Sequence, residues 1–190
     1  MRVKSVLYAS ASVVLVSIYF LNGTTLQRQM PQEKPGEQAL PKDPMSGRIV
    51  FEQKGLRFVP EVLPVLAGTT VDFLNSDNVL HNVFTPSRCA GRFNLGTWPK
   101  GKIRSHTFTQ SGCFATILCD VHPDMQAWIA VLQNPYFALT NKSGEFEIKN
   151  VPPGNYKLIV WAPFYETKNL HIKIKKTGAF GINLTLKRKS

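Results

Sequence analysis

The sequence predicts an all-β protein, with strands carrying the whole folded part from Ser46 onward. Three observations support this. Apolar and polar residues alternate in Glu145-Phe146-Glu147-Ile148 and in Leu170-His171-Ile172-Lys173-Ile174-Lys175, and Phe180, Ile182, Leu184 and Leu186 repeat at period two. That is the signature of strands with one wet face. Cys113–Leu118 and Ala127–Leu132 are near-continuous apolar runs, as central sandwich strands require. Prolines at positions 60, 64, 86, 99 and 123 are expected between runs, where they remove no ladder hydrogen bond. No segment reads as an amphipathic helix of useful length.

Taken in order, residues 1–27 are the exception to this β pattern. Arg2 and Lys4 precede an uncharged run from Ser5 to Gln27, strongly apolar through Val13–Val16 and Ile18–Leu21. A basic flank followed by an apolar stretch predicts a hydrophobic export helix. The run approaches the ~20 residues that span a bilayer, and no clean small-x-small cleavage site follows it. The expectation is an uncleaved anchor through residues 5–27, with a cleaved signal peptide as the alternative. With the basic end retained inside, the remainder lies outside the cytoplasm, in a periplasmic or other extracytoplasmic space. Residues 28–45 hold Pro31, Pro35, Pro41 and Pro44 among polar residues and read as an extended tether.

Residues 46–134 form the first predicted domain. Gly68-Thr69-Thr70 is a turn that leads into the alternating Val71-Asp72-Phe73. Residues 135–190 form a second, smaller β-module. Its turns are Asn141-Lys142-Ser143-Gly144 and Pro152-Pro153-Gly154, and its strongest strand is Tyr156–Trp161. Net charge is +11, of which +2 falls in residues 1–45, +2 in 46–134 and +7 in 135–190. A Lys-rich solvated face accounts for this excess. An acidic partner or an anionic membrane surface would also suit it. No base-reading motif accompanies the charge, so nucleic acid is not an expected partner.

The chemistry concentrates in Cys119-Asp120-Val121-His122-Pro123-Asp124-Met125. Cys119, His122 and Met125 are spaced three apart on one loop between two apolar strands, and Pro123 stiffens that loop. Thiolate and thioether are soft ligands and imidazole is intermediate, a set that suits copper in both of its oxidation states. Two His and one Cys in a plane with a weak axial Met is the blue-copper pattern. The second histidine is assigned to His81, in Val79-Leu80-His81-Asn82-Val83, just after the Val71–Phe73 strand. His106 reads as an ordinary strand-surface residue, and His171 falls on the wet face of its strand.

The chain has three cysteines. An odd count in an exported protein leaves one sulfur outside any internal disulfide. With Cys119 on the metal, Cys89 and Cys113 are candidates to pair in an oxidising compartment. The alternative is two separate buried thiols.

Thr70-Val71-Asp72-Phe73-Leu74-Asn75, then His81-Asn82-Val83, then Cys119-x-x-His122-Pro123-x-Met125 resembles the cupredoxins, and the short last loop is more like amicyanin than plastocyanin. The resemblance covers roughly residues 46–134 and implies a Greek-key β-sandwich with one copper per chain on His81, Cys119, His122 and Met125. It also implies that Asn82 ties the His81 strand to the Cys119 loop. Leu118 departs from the aromatic residue that often precedes the cysteine, and Asp120 and Asp124 flank the ligands. The second module, with Gly144-Glu145-Phe146 and Pro152-Pro153-Gly154-Asn155-Tyr156, resembles the carboxypeptidase regulatory-like, transthyretin-like β-domain. It is short for that fold; core packing or stray aromatic exposure is expected for Trp161 and Tyr165, with a binding surface as the alternative.

The function implied is one-electron transfer between transient redox partner proteins, with His122 as the electron port. Copper delivery and a non-redox binding module are the alternatives. An enzyme is not expected, because four ligands leave no open position for substrate.

Overall fold

A computed structural model describes residues 2–8, 14–20, 47–176 and 179–190. The Pro-rich tether at 28–45 lies outside them. The chain divides into two compact units, Pro35–Gln133 and a unit built from Met1–Lys34 together with Asn134–Ser190.

The N-terminal helix expectation is corrected. The described residues of that segment form strands β1 (Arg2–Tyr8) and β2 (Leu15–Phe20). Leu15-Val16-Ser17-Ile18-Tyr19-Phe20 is rich in β-branched and aromatic residues, which lose side-chain freedom in a helix and fit a pleated surface. Val14, Val16 and Ile18 are buried in a protein core, so these apolar side chains leave water without needing a bilayer. Among the described residues, no helix is long and apolar enough to cross a membrane.

In the unit Pro35–Gln133, the strands are β3 (Arg48–Gln53), β4 (Phe58–Val59), β5 (Val62–Leu66), β6 (Thr69–Asn75), β7 (His81–Thr85), β8 (Phe93–Trp98), β9 (Ile103–Phe108), β10 (Cys113–Leu118) and β11 (Gln126–Leu132). They form two sheets, ordered β4-β3-β6-β9 and β5-β11-β10-β7-β8. Strands β3 and β6 run parallel with Phe51 opposite Phe73, while β10 and β11 run antiparallel with Ala115 opposite Ile129. One core joins the sheets, with Phe51, Phe73 and Phe108 from the first against Leu63, Ile117 and Ile129 from the second. Each fully buried side chain of this size contributes about 1.5–3 kcal/mol. The arrangement is a β-sandwich consistent with the expected cupredoxin-like fold. Pro64 is an exception to the proline reading. It lies inside β5, opposite Ala130, and is tolerated because β5 is an edge strand.

The second unit adds β12 (Phe137–Leu139), β13 (Glu145–Ile148), β14 (Gly154–Trp161), β15 (Lys168–Ile174), β16 (Ala179–Gly181) and β17 (Leu184–Thr185). Strand β2 is inserted in the sheet β12-β2-β14-β15, and β1 lies between β13 and β16. The N-terminal segment thus supplies strands that the short C-terminal stretch lacks. The Asn141 side chain accepts the Ser143 and Glu145 N–H groups and closes the first turn. The Gly-x-Tyr spacing of the second turn has a steric cause. A Cβ at Gly154 would meet the Tyr156 ring at 3.2 Å, and the Tyr156 hydroxyl donates to the Pro152 carbonyl at 2.7 Å. Trp161 and Tyr165 are buried, whereas His171 is exposed on β15.

Candidate metal centre

His81 opens β7, where it pairs across to Trp98 of β8. Cys119 follows directly after β10, and His122 lies in the loop that leads into β11. The Met125 N–H donates to the His122 carbonyl at 3.0 Å, which curls this loop back on itself. The sheet order places β7 beside β10, and this adjacency carries His81 to the loop. One donor atom each from His81, Cys119 and His122 lies within 4.8 Å of the others. The two Nδ1 atoms are 3.1 Å apart, and Cys119 Sγ is 3.9 Å from the His122 Nδ1.

His81 and Cys119 are buried, at 0% and 3% exposure, while His122 is only partly covered. The Asn82 N–H donates to Cys119 Sγ at 3.4 Å. The residues brought together as a group are His81, Cys119 and His122. Met125 closes the same loop with 1% exposure.

Asn82 bonds three segments. Its Nδ2 donates to Asn94 Oδ1 at 2.7 Å and to the Gly96 carbonyl at 2.9 Å, and its Oδ1 accepts the Asp120 N–H at 3.2 Å. Asp120 N lies between Cys119 and His122 in sequence, so this side chain holds the metal loop against β7 and β8. Below it, the Gln53 side chain donates to the Asn82 carbonyl at 3.1 Å.

Sequence reasoning missed Asp77. Its Oδ2 lies 2.9 Å from His81 Nε2, and it also accepts the Gly55 and Leu56 N–H groups. Burial pushes its carboxyl up, but the hydrogen bonds from Leu56, His81 and Gly55 outweigh this and lower it to about 2. The only signal in the sequence was an acid four residues before a candidate ligand, in a cluster that also reads as a turn.

The other histidines lie elsewhere. His106 differs from its surface reading, because its ring stacks 4.0 Å from that of Phe93 and its Nε2 lies 3.1 Å from the Ala90 carbonyl. Burial lowers its pKa, and the Ala90 hydrogen bond opposes that shift in part. Cys89 and Cys113 form a disulfide with Cα atoms 5.5 Å apart, and Cys119 is a free, buried thiol.

The donor set fits copper. Two imidazoles and a sulfur converge in a largely dry pocket, with a thioether on the same loop, which is the softness that copper selects.

The family described as polysaccharide lyase family 4, domain II, matches residues 120–180. No curated protein matches the chain. Among solved structures, a reduced tryptophan-to-tyrosine variant of amicyanin is similar, with 27% identity, a TM-score of 0.42 and coverage of 45% of this chain and 83% of that one. A Cu(I) methionine-to-alanine variant of amicyanin shows 26% identity, a TM-score of 0.42 and coverage of 45% and 82%. An oxidised proline-to-alanine variant shows 28% identity, a TM-score of 0.42 and the same two coverages, 45% and 82%.

Proposed function

We propose that this chain is an extracytoplasmic blue copper protein that passes single electrons between redox partners. His81, Cys119 and His122 would hold one copper ion, with Met125 as a weak fourth ligand. The observation that carries this reading is the placement of a thiol and two imidazoles within 4.8 Å of one another, two of them sealed from water. Bound copper would supply a one-electron couple. The protein's part is to hold the ligands still through the change of charge, and the strand and loop bonds around Asn82 support that role. His122 would be the electron port. Val79, Leu80 and Val121, next to His81 and His122 in sequence, are 44%, 53% and 43% exposed. A small apolar rim of this kind suits weak, short-lived docking.

The Cys89–Cys113 disulfide supports an oxidising, extracytoplasmic location. With Met125 as the fourth ligand no position would be left open for substrate, which favours a carrier over an enzyme. For the C-terminal module we propose a non-catalytic role of the carboxypeptidase regulatory-like kind, supported by the Gly154–Tyr156 packing. Copper delivery would use the same ligands, and rapid loss of the metal to a chelator would favour it.

The test is the visible spectrum of the full chain after addition of Cu(II). One equivalent should give an intense thiolate-to-copper charge-transfer band, and Cys119→Ser should abolish it. A band that survives this substitution refutes the ligand assignment.

A further inference from the structure

His81 has 0% exposure, yet both of its ring nitrogens have neighbours. Nδ1 faces the His122 Nδ1 at 3.1 Å, and Nε2 lies 2.9 Å from Asp77 Oδ2. A carboxylate can only accept, so Nε2 carries the hydrogen and Nδ1 keeps its lone pair for the side that holds Cys119 and His122.

Asp77 is itself clamped. Its Oδ1 accepts the Gly55 N–H at 2.8 Å, its Oδ2 accepts the Leu56 N–H at 3.0 Å, and its own N–H donates to Asn75 Oδ1 at 2.9 Å. Gly55 and Leu56 have φ of 63° and 57°. Two consecutive left-handed residues aim their N–H groups at one anion. Leucine avoids this conformation, and its side chain here is 51% exposed, so core packing does not hold it there. The carboxylate accounts for the turn, and the turn in return fixes the carboxylate.

We infer that Asp77 is a positioning residue for the metal site: held by the Gly55–Leu56 turn, it fixes His81 as the Nε2–H tautomer and biases the site toward the more highly charged metal state. This rests on the proposed copper function. An anion one imidazole away from the metal attracts Cu(II) more than Cu(I), so it holds the potential down.

The experiment compares the full chain with Asp77→Asn and Asp77→Ala. It reads the His81 tautomer by nitrogen NMR on metal-free protein, then Cu(II) affinity and reduction potential on loaded protein. Asparagine retains an acceptor without the charge. It should keep the tautomer and reduce the preference for Cu(II) over Cu(I) about tenfold, a rise of about 59 mV for one electron. Alanine also removes the acceptor. It should give mixed tautomers and lower Cu(II) affinity about 10- to 100-fold. If Asp77→Ala leaves both the tautomer and the potential unchanged, the inference is overturned. If Asp77→Ala fails to fold, an unchanged potential in Asp77→Asn overturns it alone. Failure of the wild type to take up copper would sink the proposed function, while the metal-free tautomer measurement would still decide whether Asp77 positions His81.

Discussion

Asn82→Ala would separate the ligands from the scaffold that holds them. The side chain is 3% exposed and makes three hydrogen bonds, to Asn94, Gly96 and Asp120. A typical buried hydrogen bond contributes about 1 kcal/mol net, and leaving its partner unsatisfied costs about 1–3 kcal/mol. Asn94 keeps partners, because its Oδ1 still accepts the Gly96 N–H and its Nδ2 still donates to Asp120. The Gly96 carbonyl and the Asp120 N–H are the groups left open, and both belong to exposed residues that water can reach. The expected loss is therefore about 2–3 kcal/mol, read by urea denaturation of metal-free protein. The metal site should suffer separately. Freeing Asp120 N loosens the segment from Cys119 to His122, so Cu(II) affinity should fall about 10- to 100-fold at an unchanged ligand set. A loss under about 0.5 kcal/mol with unchanged affinity would show that the loop is held by something other than Asn82.

Replacing both Cys89 and Cys113 by alanine opens a crosslink spanning 24 residues. It should cost about 3.5 kcal/mol through the freed unfolded chain, measured by denaturation, and thiol counting on the unreduced wild type should find one free thiol. Met125→Leu should keep colour and raise the potential, while Met125→Gln, a harder donor, should lower it; redox titration showing no movement in either would remove Met125 from the axial position. Deleting residues 2–20 takes β2 out of its sheet along with the buried Val16 and Ile18, at about 2 kcal/mol for each such side chain. The C-terminal unit should then lose cooperative unfolding while the copper band persists. A C-terminal unit that unfolds as before would return the segment to a leader or anchor role.

Local patterns in the sequence carried much of the reading. Alternation marked the strands of the C-terminal module, and apolar runs marked β10 and β11, because a strand's side chains sort by face at period two whatever lies beyond them. The metal loop was legible for the same reason. Cys119, His122 and Met125 lie within one turn of chain, so their spacing alone limits where their donors can go. His81 was harder, since only its place just after a strand and a family resemblance linked it to a loop nearly forty residues away.

Three matters were settled by tertiary structure alone. The apolar N-terminal run reads as an export helix, because hydrophobicity does not say which apolar surroundings remove a segment from water; the place between β12 and β14 is filled by its residues Leu15–Phe20 as β2, and Arg2–Tyr8 lies between β13 and β16 as β1. Pro64 could sit in a strand only because β5 is at a sheet edge. Asp77 gained its role from the turn at Gly55 and Leu56, more than twenty residues away in sequence. The sequence determined which chemical groups this protein can bring to a metal. The packing of distant segments decided which of their atoms face inward and what holds them there, because hydrogen-bond partners and burial depend on proximity in space and not on spacing along the chain.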